Sequence, residues 1–221
     1  KIPFENIGVF VFEPGGSGSS FVNFPPKRVV EEIFKRIKQI NGLLVVNEVT
    51  TGIGRTGQWF GFQHYDIEPD IVAMGKNLGN GYPISAVVIK QEIADKIENS
   101  NFIYAQSHQN DPLGCAVAKE AIATIHEEKL IKNGKKLGTY FLEKLKILKE
   151  KHAIIKEVRG RGLLIAIELN SHKLVTATWI YKKLLNNGFL VGYYQAGNIL
   201  RFDPALTITK HSINQLIECL D

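Results

Sequence analysis

Short apolar runs alternate with amphipathic segments through the first half of the chain. Runs of four to six apolar residues that are rich in β-branched and aromatic side chains predict buried strands. Val30, Phe34 and Ile37 recur at helical spacing between the first two runs and predict a helix over 27–40. The predicted strands are 7–12, 43–46, 70–74 and 84–89. Strands that alternate with helices in this way indicate an α/β fold with a largely parallel sheet.

The pattern changes twice in the second half. Apolar stripes over 112–149 predict either one long bent helix or two helices. From residue 154, short strand patterns mix with helical ones, which predicts a small α+β domain. The predicted strands are 154–158, 163–169, 190–193 and 199–202, and the predicted helices are 174–186 and a last one from Lys210. We therefore expect a large domain over 1–153 and a small C-terminal domain over 154–221.

Composition narrows the class of protein. The 221 residues are 44% hydrophobic and 22% charged, as in globular proteins, and no apolar run approaches the roughly 18 residues of a membrane span. Cys115 and Cys219 fit neither a disulfide framework nor a metal site, so we expect a cytoplasmic protein without metal. The net charge of +5 comes largely from lysines on predicted helix faces, which argues against nucleic-acid binding.

The segment 52–57 matches the glycine pattern GxGxxG. A dinucleotide site requires this pattern to follow a strand tightly and to open a helix. Here five residues separate it from the preceding strand, and 58–65 has no helical stripe. A glycine-rich turn is the better interpretation.

Three polar residues are candidates for chemistry. Asn47 follows the strand 43–46, where it either caps the next turn or lies in a ligand site at the sheet edge. Lys76 also follows a strand, where it is either a solvated surface charge or a partly desolvated amine that can form a Schiff base with a carbonyl. Arg201 lies within an apolar strand and pairs with Asp203, with Glu168 or with a ligand carboxylate, between which spacing does not choose.

Several sequence blocks together resemble one family. In order and spacing they are similar to the signature of class III pyridoxal-phosphate aminotransferases, of the ornithine, acetylornithine and 4-aminobutyrate type, over essentially the whole chain. The blocks are NEVTTGIGRTG at 47–57, PDIV at 69–72, GKNLGNGYP at 75–83, SHQNDPL at 107–113, RGRGL at 159–163 and the Arg201, Pro204 and Leu206 positions.

The resemblance implies a fold type I enzyme, with a mixed, mostly parallel sheet in its large domain and a small C-terminal domain, that acts as a homodimer with shared active sites. Lys76 would form the internal aldimine, a Schiff base, with pyridoxal 5′-phosphate and move the proton between the substrate and the cofactor. Ser107 would bind the cofactor phosphate of the partner subunit, and Thr50 would lie near the phenolic oxygen of the cofactor. Arg201 would bind the substrate carboxylate, and Glu13 would lie on an active-site strand. The implied reaction moves an amino group between an amino donor and a 2-oxo acid.

The chain departs from the family pattern in three ways. Asn47 stands where the family has an aspartate that pairs with the pyridine nitrogen, which predicts a weaker electron sink. An acidic residue that many members carry just after the Glu-Pro block is absent from 15–20. The chain has about half the family's length, so we expect an N-terminal half to be missing. The alternatives are therefore a racemase or aminomutase on the same scaffold, or a catalytically inactive fragment of such an enzyme.

Overall fold

The computed structural model describes residues 2–16 and 21–221, which form two four-stranded sheets and six helices. The Gly/Ser stretch 15–20 resembles either a flexible linker or a loop between a strand and a helix, and its residues 17–20 lie outside the described residues. The strands of the first sheet are β1 (Val9–Phe12), β2 (Leu43–Asn47), β3 (Ile71–Met74) and β4 (Ala86–Ile89). The strands of the second sheet are β5 (Ile155–Arg161), β6 (Leu164–Leu169), β7 (Gly192–Tyr194) and β8 (Ile199–Phe202). The helices are α1 (Lys27–Gln39), α2 (Gln91–Glu98), α3 (Pro112–Glu127), α4 (Leu130–Lys151), α5 (Ala177–Asn186) and α6 (Lys210–Leu220).

The first sheet has the strand order β1-β2-β3-β4. β1, β2 and β3 run parallel, and β4 pairs antiparallel with β3, which confirms the predicted mixed, mostly parallel sheet. Helix α1 buries Val30 and Ile37, two members of the predicted stripe. Because parallel strands end at the same edge, β1, β2 and β3 bring the residues that follow them together.

A buried carboxylate fixes the start of β3. Asp70 accepts hydrogen bonds from the backbone N–H of Leu44, at 2.8 Å, and from Lys38, and it lies 3.4 Å from Lys90. Burial alone would raise the pKa of Asp70, but these hydrogen bonds hold it below its ordinary value of 3.8. The network ties β2 to β3 at the end opposite the candidate site.

Of the two predictions for 112–149, one long bent helix or two helices, the structure confirms two helices, α3 and α4. Lys129 has a left-handed backbone, φ +56°, which separates two distinct helices. Asp111 caps α3 by accepting from Gly114 N–H, and Pro112 occupies the first turn. The eight-residue helix α2 was not predicted from the sequence.

The second sheet is antiparallel throughout, in the order β5-β6-β8-β7. Gly162, at φ +54°, makes the turn between β5 and β6. The predicted helix 174–186 begins later, at Ala177, because Thr176 caps it by accepting from Trp179 N–H at 3.2 Å.

Helix α4 crosses close to the turn after β5. A Cβ added at Gly138 would lie 2.1 Å from the carbonyl oxygen of Gly162, so only glycine permits this approach. The apolar core runs through the contact and joins Met74 of the first sheet to Phe141 and Leu200. The division at 153/154 stays a prediction, because one continuous core packs on both sides of it.

Candidate active site

The candidate site lies where β2 and β3 end side by side. Asn47 is the last residue of β2 and pairs in register with Ala73 of β3. Lys76 follows the end of β3 by two residues and opens a short 3₁₀ turn. The parallel pairing therefore brings the predicted lysine and asparagine to one edge of the sheet.

Lys76 is held by its backbone and by one hydroxyl group. Its φ of +44° lies in the left-handed region, which costs a residue with a side chain about 1–2 kcal/mol. Its Nζ donates a hydrogen bond to Thr50 Oγ1 at 2.7 Å, while the residue as a whole is exposed. Strain of this kind persists where the surrounding structure fixes it, which is common at functional sites. The turn thus holds an accessible amine beside Thr50.

Glu48 supports the loop that carries Thr50. Its side chain is buried and accepts hydrogen bonds from Thr51 Oγ1, Gly61 N–H and Phe62 N–H at 2.6, 2.8 and 2.7 Å. Burial nevertheless raises the pKa of Glu48 above its ordinary value, against the effect of the three donors. These bonds close the loop 49–62 back onto the end of β2.

The Asn47 side chain caps the following turn, as one of the two interpretations proposed. Its Oδ1 accepts a hydrogen bond from Val49 N–H at 3.1 Å. Since only the oxygen of an amide accepts, the orientation of the amide group is set. Nδ2 makes no hydrogen bond within 2–16 and 21–221, so two N–H donors remain at the sheet edge.

Arg201 pairs with Asp203 and not with Glu168, while its binding of a ligand carboxylate stays a prediction. Its Nη2 donates to Asp203 Oδ2 at 2.7 Å, and its Nη1 donates to the Tyr194 hydroxyl at 3.1 Å. Glu168 instead accepts from Arg159 at 2.7 Å and from Lys156. The carboxylate predicted as an alternative partner is therefore already occupied.

Arg55 is a site residue that the sequence did not reveal. It is 8% exposed, and its Nη1 donates to the carbonyl oxygens of Leu163 and Pro204. Its Nη2 lies 3.5 Å from Oδ1 of Asn77, the neighbour of Lys76. Burial lowers the pKa of Arg55; the charge of Asp203 opposes this effect, and the charge of Arg201 adds to it. The two arginines therefore lie in one electrostatic cluster beside the lysine turn.

Glu13 and Ser107 occupy different surroundings. Glu13 is half-buried and directly follows β1, so it lies at the same sheet edge as Asn47. Ser107 lies in the fully exposed stretch 99–110 and makes no hydrogen bond with the other candidates among the described residues. Tyr82 anchors the end of this stretch by donating to Asp111 at 3.0 Å.

The GxGxxG segment forms a buried turn. Gly54 and Gly57 have φ of +88° and +79°, and the next helical element is a 3₁₀ turn over Gly61–His64. No helix opens on the glycines, which fits the prediction of a glycine-rich turn. Within the described residues, no group of three acidic, histidine or cysteine side chains could hold a metal ion, and no helix is long and apolar enough to cross a membrane.

Comparison with known protein families shows which family the chain belongs to. The model of the family "Aminotransferase class-III" matches residues 3–221. The chain belongs to this family. Acetylornithine aminotransferase of Methanocaldococcus jannaschii is 42% identical over 183 residues, which are 82% of this chain and 44% of that protein. Leucine/methionine racemase of Thermococcus litoralis is 36% identical over 201 residues, covering 86% and 45% of the two proteins.

The fold agrees with this class III assignment. The ornithine aminotransferase of Toxoplasma gondii, whose structure is described with partial occupancy of PLP at the active site, superposes with a TM-score of 0.88 at 34% identity. The match covers 98% of this chain and 50% of that one. The chain therefore spans about half the length of the relatives it matches.

The residues at the sheet edge fit pyridoxal 5′-phosphate, the cofactor of class III aminotransferases. The cofactor carries an aldehyde, which requires an accessible amine such as Lys76 Nζ. Its pyridine nitrogen requires a neighbour that can hydrogen-bond, and Asn47 Nδ2 has two N–H groups without a partner in the described part of the chain. The donor set therefore suits the group, with an amide where a carboxylate was expected.

Proposed function

We propose that the protein containing this chain transfers an amino group between an amino donor and a 2-oxo acid with the aid of pyridoxal 5′-phosphate. The observation that carries the proposal is the position of Lys76, strained and hydrogen-bonded at the end of β3 in a class III chain. When bound, the cofactor withdraws electrons from the substrate α-carbon.

Each candidate residue has a task in this proposal. Lys76 Nζ would hold the cofactor through its aldehyde and would accept the proton that leaves the substrate α-carbon. Thr50 Oγ1 orients Nζ by accepting its hydrogen bond. Asn47 Nδ2 would donate to the ring nitrogen of the cofactor, and Arg201 would bind the substrate carboxylate with its planar fork. Glu13 borders the same sheet edge as Asn47 and contributes to the substrate side.

We further propose that the protein is a homodimer in the cytoplasm. Ser107 lies in an exposed stretch with three large hydrophobic side chains, Phe102, Ile103 and Tyr104, which suits a surface that a second subunit covers. Ser107 would then reach the cofactor phosphate of the partner subunit. The two exposed cysteines are unpaired, as expected in a reducing compartment.

A second candidate function is racemisation or another amino-group isomerisation. The amide at position 47 favours it, because a neutral neighbour does not stabilise a protonated ring as a carboxylate does. The Thermococcus relative is named as a racemase, which fits this alternative. Formation of a 2-oxo acid product during turnover favours transfer, while inversion of the α-carbon without that product favours isomerisation.

The experiment is covalent trapping on Lys76. The protein is incubated with pyridoxal 5′-phosphate, reduced with borohydride and digested, and the modified peptide is identified by mass spectrometry. We expect the adduct on Lys76, its loss in Lys76→Ala and its retention in the control Lys173→Ala, which removes an exposed lysine. Absence of any adduct on Lys76 contradicts the proposal and favours a catalytically inactive fragment.

A further inference from the structure

A cavity of about 580 Å³ lies on the helix-covered face of the second sheet, between α5 and the C-terminal ends of α4 and α6. This volume is in the range of small-molecule sites, roughly 300–1,000 Å³. Ile155, Ile167 and Leu200 from the strands form its floor, and all three are buried members of the apolar core. The side chains of the floor therefore offer a ligand only hydrocarbon contacts.

The sheet separates this cavity from the candidate active site. Leu200 of β8 and Ile167 of β6 pair in register, and both line the cavity. Arg201 follows Leu200 in β8, and successive side chains of a strand point to opposite faces of the sheet. A ligand in the cavity thus occupies the face opposite Arg201, so it does not compete with a substrate there.

Charged side chains stand at the mouth of the cavity. Asp221 is the one acidic side chain among the described residues that line it. The carboxylate oxygens of Asp221 lie 2.6 Å from Lys151 Nζ and 2.8 Å from His152 Nε2. Lys183 also lines the cavity, and it forms no ion pair within 2–16 and 21–221. The mouth therefore holds a carboxylate that already has basic partners and a cation that an anion can reach.

Trp179 holds this cation at the rim. Lys183 Nζ lies 5.4 Å from the centroid of the Trp179 ring, within the range of a cation–π contact. The indole is 46% exposed and also lines the cavity. It joins the charged rim to the aliphatic interior, an arrangement that suits a molecule with an anionic head and an apolar tail.

We propose that this cavity binds a medium-chain aliphatic monocarboxylate. The carboxylate pairs with Lys183 at the rim, and the hydrocarbon tail lies against Leu148, Ile180 and the floor. Because the tail is transferred from water to apolar side chains, affinity rises roughly fourfold with each buried methylene group. Neither the cofactor nor Lys76 takes part in this binding, so the inference goes beyond the proposed function and does not depend on it.

The test measures how far a ligand protects Cys219, which is exposed and lines the cavity, from alkylation by N-ethylmaleimide. Mass spectrometry of the full-length protein follows Cys219 and, as an internal control, the exposed Cys115 of α3. We expect decanoate, below its micellar concentration, to slow alkylation of Cys219 at least fivefold and that of Cys115 less than twofold. Octanoate should need a roughly tenfold higher concentration for half-protection. Decyltrimethylammonium, which carries the opposite charge, should not protect.

A matched pair of lysine variants tests the head group. Lys183→Glu should raise the half-protecting concentration of decanoate at least fivefold. Lys182→Glu reverses the charge of the neighbouring exposed lysine, which is not part of the lining, and should change this concentration less than twofold. Unprotected Cys219, equal protection by decyltrimethylammonium, or equal effects of the two variants overturns the inference.

One further variant separates the cavity from the proposed reaction. Protection of Cys219 by decanoate should persist in Lys76→Ala, because the sheet lies between the two sites; its loss would overturn the inference. A missing cofactor adduct on Lys76, with Cys219 still protected, supports the cavity and contradicts the proposed reaction instead.

Discussion

Replacing Asn47 with aspartate places a negative charge at the end of β2 with little change of shape. Oδ1 already accepts from Val49 N–H at 3.1 Å, and an aspartate oxygen keeps that bond. The second oxygen then replaces Nδ2, so a donor toward the cofactor ring becomes a charged acceptor. The substitution therefore changes the electrostatics at one atom while the turn stays intact.

The expected effect of Asn47→Asp is a large rise in the pKa of the ring nitrogen. An opposite charge within about 4–6 Å raises the pKa of a cation by about 1–3 units, which corresponds to about 1.4–4 kcal/mol. Asn47 is half-buried, so water screens the new charge only in part. We expect faster single-turnover amino transfer in the variant, because a protonated ring withdraws electrons more strongly.

Two measurements check the Asn47→Asp prediction. Nitrogen-15 NMR of bound, labelled cofactor reports the protonation of the ring nitrogen as a function of pH, and rapid-mixing absorbance gives the single-turnover rate. Asn80→Asp, which adds the same charge to an exposed position of the lysine turn, serves as control and should change neither. An unshifted ring pKa and an unchanged rate in Asn47→Asp would refute the reasoning about the amide.

The remaining predictions concern stability. Asp70→Ala leaves a buried backbone N–H without an acceptor and Lys38 without its carboxylate partner, while Lys90 keeps Glu68, so we expect a loss of about 2–4 kcal/mol in urea unfolding at pH 7. Glu68→Ala removes an exposed carboxylate from the same lysine network and should leave the midpoint unchanged. Because the pKa of Asp70 is lowered in the folded state, its charge adds to the free energy of unfolding above the ordinary value of 3.8, and this contribution is lost as the pH falls through the lower folded-state value. A difference in unfolding free energy between Asp70→Ala and the wild type that is as large in acid as at pH 7 contradicts this. Gly138→Ala should cost about 3 kcal/mol or prevent folding, since its Cβ would lie 2.1 Å from a backbone oxygen. Gly134→Ala, one turn earlier with 3.4 Å of room, should be neutral or stabilising in thermal melts, and equal effects of the two would disprove the close contact.

The sequence predicts that Asn47 and Lys76 lie at strand ends, because the apolar runs that precede them are patterns of neighbouring residues. Lys76 and Asn47 each follow an apolar run, and parallel strands have only one way to bring their ends together. The strand and helix bounds differ by one to three residues where a cap decides the end, as Thr176 does for α5. Helix α2 escaped detection because eight residues give too short a stripe for a periodic signal.

The partners of the site residues could not be predicted, because they depend on register. Glu168 and Arg201 lie on adjacent strands, with Ala166 opposite Arg201, so a diagonal pair was possible. Arg159 on the other neighbouring strand reaches Glu168 instead, and Asp203 then pairs with Arg201. Pairings of this kind follow only from the three-dimensional order of the strands.

Arg55 was missed for the same reason. The carbonyl oxygens that it binds belong to residues 108 and 149 positions later in the chain. An arginine inside a glycine-rich segment carries no local sign of such partners. A buried position for it could be inferred only after the turn between β5 and β6 was placed against the loop 49–62.

The hydrogen bonds of Arg55 have a mechanical consequence. One guanidinium holds the β5–β6 turn at Leu163, the end of β8 at Pro204 and the lysine turn at Asn77. Under the proposed function, the segments that carry the reactive amine and the carboxylate-binding arginine are therefore hydrogen-bonded to one side chain. Loss of the Arg55 guanidinium would then loosen the lysine turn, the β5–β6 turn and the segment after β8 together, although they are far apart in the sequence.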